Sequence, residues 1–214
     1  MKIKAQIPNI ITLSGLFCGF VGILSITQGS LFWAAWAVMA AAFLDVWDGL
    51  TARILHVQSK MGEQLDSLCD LVNFGVLPTL IASQMFHQFA AAANWFPKYK
   101  FGHEGYFTGV YTISFLLFIY LAGAVIRLAK FNVSHGIGFS GLPSPAAGMF
   151  VAAVPLIYYY GEEAFPLSQE ILNGVYGSAL GVFTITIIVG IFMVLPIPLL
   201  SFKGMNSKPS SYIF

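Results

Sequence analysis

Four aspartates form the most chemically suggestive pattern in this chain. Asp45, Asp48, Asp66 and Asp70 follow the spacing D-x2-D-G-x2-A-R-x8-G-x3-D-x3-D. They interrupt segments that are otherwise apolar, in a chain with only nine acidic residues. A carboxylate near the middle of a bilayer costs roughly 2.5–3.5 kcal/mol, so four of them require compensating positive charge. The pattern therefore predicts an active site built around a pair of divalent metal ions.

Helical spacing places these carboxylates on two facing stripes. Asp45 and Asp48 lie three residues apart and Asp66 and Asp70 four apart, so each pair shares one face of its helix. The polar connector at 56–62 is short, which makes the two helices antiparallel neighbours whose acidic stripes meet near their cytoplasmic ends. Ligand sets of oxygen atoms alone favour hard cations such as magnesium, manganese or calcium over zinc.

The residues between the aspartates also favour a phosphate ligand. Gly49 and Ala52 leave room beside the carboxylates for a bulky flat group to approach the backbone. Arg53 could neutralise a phosphate or an aspartate, and a phosphate bridging two metal ions fits a two-metal displacement. The residues thus suggest a phosphoryl-type transfer at the membrane surface. Buried aspartates can also line the ion or proton path of a transporter, and this alternative stays open at this point.

Composition indicates the kind of protein that must position this site. Of the 214 residues, 57% are hydrophobic and 9% are charged, whereas soluble domains carry about 25% charged residues. The sequence therefore predicts an all-α integral membrane protein, a single transmembrane domain over residues 1–214, with a polar active-site cavity that faces the cytoplasm. Hydropathy and turn residues divide it into six spans: 9–28, 31–55, 63–90, 107–131, 144–160 and 171–195.

Two local features refine this arrangement. The segments 94–106, 134–143 and 161–170 are expected to be loops, and Pro78 is expected to kink the third span because it lacks a backbone donor.

The apolar run at 10–26 is longer than the core of a secretory signal and has no small-residue cleavage pattern after it, so we expect a spanning helix there. Gly15 and Gly19 form a G-x-x-x-G step, which favours close helix packing.

The distribution of positive charge predicts the orientation. With the N-terminus in the cytoplasm, eight of the ten cationic side chains fall on the inner side: Lys2, Lys4, Arg53, Lys60, Arg127, Lys130, Lys203 and Lys208. Only Lys98 and Lys100 fall outside, in agreement with the positive-inside rule. We therefore expect a multi-pass protein of the plasma membrane with both termini and the active site cytoplasmic. The net charge is +1 and there is no basic run, so no nucleic-acid partner is expected.

The string DVWDGLTARILHVQSKMGEQLDSLCD, from Asp45 to Asp70, resembles the signature of the CDP-alcohol phosphotransferase family at all eight defining positions. The resemblance implies six helices, two divalent cations (Mg2+ or Mn2+), a homodimer, and transfer of a phosphatidyl-type group from a CDP-linked lipid to an alcohol with release of CMP. It further implies that the four aspartates are the metal ligands and that Asp70 is the catalytic base. The positions that would bind the CDP-lipid are Gly49, Ala52, Arg53, Ser59 and Gly62.

Flanking segments resemble the branch of this family whose acceptor is L-serine and whose donor is CDP-diacylglycerol. They are the runs 7–12, 127–132 and 139–145. Asn9 and Thr12 are expected to help hold the nucleotide end, with helix capping as the alternative. Arg127 is expected to bind the serine carboxylate through two hydrogen bonds, with Lys130 and Asn132 nearby; its alternative is to reach lipid phosphates. Other acceptors remain open, namely glycerol phosphate, inositol phosphate and choline, as does an ether-lipid donor.

Overall fold

The structure is a computed structural model that describes residues 6–92, 98–101, 105–108, 115–133, 141–164 and 179–195. Its elements are α1 (Gln6–Thr27), α2 (Leu31–Ile54), α3 (Lys60–Asp70), a π-helical segment (Leu71–Val76), α4 (Leu77–Ala92), β1 (Lys98–Phe101), β2 (Gly105–Thr108), a 3-10 turn (Phe115–Leu117), α5 (Phe118–Val133), α6 (Ser144–Ala164) and α7 (Ala179–Val194). Four helical stretches are long and apolar enough to cross a membrane: Gln6–Thr27, Leu31–Ile54, Lys60–Phe89 and Phe115–Val133. The chain is therefore an integral membrane protein.

Helices α1 and α2 form a tight antiparallel pair, because the turn between them is short and well capped. Gly29 has a φ of +81°, and the amides of Gly29 and Ser30 donate to the carbonyls of Ile26 and Ser25. This bonding pattern ends α1 in the way that a glycine in the left-handed region allows. The Ser30 hydroxyl then accepts from the amide of Trp33 and begins α2.

The core is built from small residues that let the helices approach closely. On α2 the buried face carries Ala34, Ala35, Ala37, Val38, Ala41 and Ala42. On α1, Gly15 and Gly19 are buried against the amide of Asn73, and a side chain at Gly19 would overlap the Asn73 amide oxygen. The G-x-x-x-G step of α1 is thus used for packing within one chain, which confirms the expected close helix packing.

The third expected span is one long helix with an irregular middle. α3 and α4 are joined by the π-helical segment, in which the Leu77 amide donates to the carbonyl of Val72, five residues earlier. The sequence predicted a kink at Pro78 but not this change of helical register. Pro78 directly follows the first residue of α4 and is fully buried.

Two sequence predictions for the segment between α4 and α5 are wrong. The segment 94–106 was expected to be a loop, and the structure instead pairs β1 with β2 as an antiparallel ribbon, with Lys98 opposite Thr108. The described part of the chain is therefore not entirely α-helical. The fourth helix was expected to start at 107, whereas residues 107 and 108 belong to β2, and the described part of this helical stretch begins at Phe115. Aromatic residues alternate with polar ones in Lys98–Phe101, a period that favours strand over helix or loop. The expected loop at 161–170 is wrong over 161–164, which belong to α6. The rest of it, and most of the expected loop at 134–143, lie outside the described residues.

Candidate active site

The connection between α2 and α3 is a compact turn that holds the polar residues at one end of the bundle. His56 has a φ of 52°, and the amides of His56 and Val57 donate to the carbonyls of Arg53 and Ala52, which closes α2. A histidine adopts this left-handed conformation more readily than most residues do. Three residues later the Ser59 hydroxyl accepts from the amide of Gly62 at 3.0 Å and begins α3.

This hairpin brings the two acidic stripes together, as their helical spacing predicted. Asp45, Asp48 and Asp66 each offer a carboxylate oxygen, and these oxygens all lie within 4.8 Å of one another. Asp48 is buried, and the other two are partly buried. Asp70 lies one turn beyond Asp66 and lines a cavity of about 450 Å³ together with the other three aspartates. The four predicted ligands therefore share one wall of a single cavity.

The donor set of this cluster fits a hard divalent cation. All three close ligand atoms are carboxylate oxygens, and oxygen-rich sites suit magnesium, manganese or calcium. Negative charges at such short separation repel one another strongly in a partly buried site. A bound cation removes this repulsion, so the geometry supports a metal site.

A second cavity, of about 220 Å³, collects the residues expected to hold the CDP-lipid. All seven line it: Asn9, Thr12, Gly49, Ala52, Arg53, Ser59 and Gly62. No atom lies within 4 Å of the position that a side chain would take at Gly49. Packing within the chain therefore does not require a glycine there, and the open space is available to a bound group.

The α1 residues of this cavity lie inside the helix and do not cap it. Thr12 belongs to α1, and its hydroxyl donates to the carbonyl of Pro8 at 3.0 Å, one turn earlier. Asn9 also lies within α1, facing the start of α3, where its amide oxygen would be 3.4 Å from a β-carbon at Gly62. Helix capping, the alternative for these two residues, is therefore wrong.

The two cavities meet at the carboxylate cluster. Four residues line both of them: Asp48, Gly49, Arg53 and Asp66. The smaller cavity extends from this shared wall toward α1 and the turn that precedes α3. The larger one extends toward Asp70, α5 and the start of α6. A group held at the shared wall would thus be accessible from both cavities.

Arg127 reaches the larger cavity from α5. Its Nη1 donates to the buried hydroxyl of Ser144 at 2.8 Å, and its Nε is buried without a hydrogen-bond partner. Pro143 and Pro145 flank Ser144 and also line this cavity. The guanidinium is therefore fixed at one nitrogen while another donor lacks an acceptor, an arrangement that suits an anionic ligand.

The other two expected acceptor residues take different positions. The Asn132 amide oxygen accepts a hydrogen bond of 2.9 Å from the hydroxyl of Ser67, which itself lines the larger cavity. Lys130 lines neither cavity, and its ammonium contacts the carbonyl of Val194 at 3.4 Å, at the C-terminal end of α7. A cation is favourable at such a helix end.

Sequence reasoning assigned no role to Ser67 and Ser144, which the structure places at the larger cavity. Ser144 is fully buried and begins α6 between two prolines. This Pro-Ser-Pro run is visible in the sequence, but nothing in it shows that Ser144 meets Arg127. Ser67 follows Asp66 directly and could have been selected only as a neighbour of the acidic stripe.

Comparisons with known proteins show the family to which the chain belongs. The family model for CDP-alcohol phosphatidyltransferase matches residues 5–195. A CDP-diacylglycerol–serine O-phosphatidyltransferase of Helicobacter pylori is 35% identical over 178 residues, which cover 78% of this chain and 67% of that protein. The enzyme of the same name from Bacillus subtilis is 31% identical, over 71% of this chain and 76% of the relative. An archaetidylserine synthase of Methanothermobacter thermautotrophicus is 29% identical, over 73% and 60%.

Proposed function

The chain belongs to the CDP-alcohol phosphatidyltransferase family, and we propose that it transfers the phosphatidyl group of CDP-diacylglycerol to the hydroxyl of L-serine. The products are phosphatidylserine and CMP. The observation that carries this proposal is the shared wall of the two cavities, where the carboxylates lie between the cavity of about 220 Å³ and a larger cavity that is lined by the partly buried Arg127. Relatives named for the same reaction support serine as the acceptor.

The smaller cavity binds the cytidine diphosphate end of the donor. Gly49 and Ala52 leave space for the flat nucleotide against α2, and Arg53 neutralises a phosphate. The hydroxyl of Ser59 accepts from the Gly62 amide, so its own proton is free to reach a phosphate oxygen. The diacylglycerol end then extends from the shared wall into the bilayer.

The larger cavity binds serine and orients its hydroxyl toward the lipid phosphorus. Arg127 binds the serine carboxylate, with its guanidinium oriented by Ser144. Asp70 takes the proton from the serine hydroxyl, whose oxygen forms the new bond to phosphorus while the bond from phosphorus to the CMP oxygen breaks. Asp45, Asp48, Asp66 and Asp70 would hold divalent cations, which would stabilise the negative charge on the phosphates.

The same reasoning extends to the arrangement of the protein in the membrane. We propose six spans, with α6 and α7 as the two beyond those recognised by length and hydropathy. We also propose a plasma-membrane protein with a cytoplasmic site and cytoplasmic termini. The eight-to-two distribution of cations supports this orientation. The working unit is a homodimer, and its interface does not use Gly15 and Gly19, because both are buried inside the chain.

Purified protein in detergent micelles tests the reaction directly. With CDP-diacylglycerol, Mg2+ or Mn2+ and radiolabelled serine, we expect equal amounts of phosphatidylserine and CMP, and neither product from an Asp48→Asn control. Parallel reactions with glycerol phosphate, inositol phosphate and choline compare the acceptors, and an ether-linked donor compares the lipids. Release of CMP with another acceptor but not with serine would overturn the assignment of the acceptor. A protein that binds cations but releases no CMP would support a transporter instead.

A further inference from the structure

The π-helical segment Leu71–Val76 begins directly after Asp70 and lies where three other helices meet. The Asn73 amide packs against Gly15 and Gly19 of α1. Gly148 of α6 lies so close that a β-carbon there would be 3.1 Å from the Cα of Phe74. From α5, the hydroxyl of Tyr120 donates to the carbonyl of Phe74 at 3.0 Å. The segment is thus held from three sides.

The bond from Tyr120 supplies a donor to a carbonyl that would have none in the α-helical register. In an α-helix the carbonyl of residue 74 accepts from the amide of residue 78, and residue 78 is a proline without an N–H. Phe74 is fully buried, so a carbonyl without a donor would be costly there. Tyr120 is itself fully buried and supplies the donor.

The π-helical segment also sets the direction in which Asp66 and Asp70 point relative to α4. In a straight α-helix at about 100° per residue, Phe86 would lie on roughly the opposite face from Asp70. Both nevertheless face the interior of the bundle, since Phe86 is 1% exposed and Asp70 lines the larger cavity. One π turn unwinds the helix by about one residue, or on the order of 100°, and so brings the two faces together.

From these contacts we infer that Tyr120 is a positioning residue of the active site: its hydroxyl, bound to the Phe74 carbonyl, holds the π-helical segment in the register that keeps Asp66 and Asp70 facing Asp45 and Asp48. Tyr120 acts through the backbone of α3 and touches no substrate. The part of this inference that concerns catalysis rests on the proposed function. The part that concerns the geometry of the carboxylates can be measured by metal binding alone.

The test compares Tyr120→Phe with Tyr120→4-aminophenylalanine, which restores a donor at the same place on the ring. Binding of Mn2+ to the purified protein, without substrates, is followed by electron paramagnetic resonance of the free ion. Loss of one buried hydrogen bond should weaken Mn2+ binding by on the order of 10-fold in Tyr120→Phe. The amino variant should recover most of this loss, and kcat for serine transfer should follow the same order. The Tyr159→Phe control removes a hydroxyl from a side chain that is 64% exposed and should change neither quantity.

A purely structural role would give a different result. Tyr120→Phe would then melt at a lower temperature but bind Mn2+ with unchanged affinity and keep its kcat per folded molecule, which overturns the inference. Equal defects in the phenylalanine and amino variants would also overturn it, because hydrogen-bond donation would not be the cause. Should Tyr120→Phe fail to fold, Gly148→Ala decides, since its β-carbon would lie 3.1 Å from the Cα of Phe74 and displace this residue from the α6 side. Weakened Mn2+ binding in that variant supports the inference, and unchanged binding refutes it. One further result would refute only the proposed function. In that case the wild-type protein makes no phosphatidylserine, but the Tyr120 variants still differ from it in Mn2+ affinity as expected.

Discussion

Replacement of Arg127 by lysine is the sharpest test of how serine is bound. The guanidinium has one nitrogen bound to the Ser144 hydroxyl at 2.8 Å and a buried Nε with no partner. A lysine keeps the positive charge but offers a single nitrogen, so it cannot hold Ser144 and both carboxylate oxygens at once. The substitution therefore removes at least one hydrogen bond to a charged group, which is typically worth about 1.5–3 kcal/mol.

This free energy predicts a specific kinetic result. The KM for serine should rise roughly 10- to 150-fold in Arg127→Lys, while the KM for CDP-diacylglycerol changes far less. Ser144→Ala leaves the guanidinium intact but removes the group that orients it, so its KM for serine should rise by only about 2- to 10-fold. Ser59→Ala is the matched control in the smaller cavity, and it should affect the lipid donor and not serine.

The assay measures initial rates in mixed micelles, with one substrate varied while the other is saturating. Equal losses for both substrates in Arg127→Lys would mean that the arginine supports the fold or the donor phosphates. Unchanged serine kinetics would show that Arg127 only reaches lipid phosphates, and the acceptor site would then be sought around Ser67 and Asn132.

Four further predictions follow from the site and the packing. Chelation should abolish turnover and Mg2+ or Mn2+ should restore it, so full activity in excess chelator would contradict the metal cluster. Asp70→Asn should lower kcat by at least ~100-fold while CDP-lipid still binds, and near-normal turnover would exclude this base. Gly19→Ala should destabilise the protein by about 1–3 kcal/mol in thermal unfolding, because its β-carbon would overlap a buried amide; Gly15→Ala, with its nearest atom at 3.6 Å, is the tolerated control. Cysteine probes in intact cells should be labelled from outside at Lys98 and protected at Lys60, and the reverse would invert the topology.

The acidic stripes and their meeting could be derived from the sequence, because they depend on local geometry. The spacing of Asp45 and Asp48, and of Asp66 and Asp70, decides which side chains share a helix face. The short connector at 56–62 then makes the two faces adjacent. The glycine at position 29 likewise predicts the end of α1, since a glycine in the left-handed region closes a helix without steric cost. The ribbon of β1 and β2 was missed because its two short strands carry only a weak alternating pattern.

Tertiary structure alone decided which distant residues complete the site. Arg127 meets Ser144 and Ser67 meets Asn132 because separate helices pack at a particular rotation, which no local pattern encodes. Pro78 in the sequence indicates a lost backbone bond, but not that Tyr120 would replace it from α5. The packing also placed Lys130 at the end of α7 and not in a cavity. Periodicity determines the helix face on which a residue lies. The residue of another helix that contacts this face depends on how all the helices pack together.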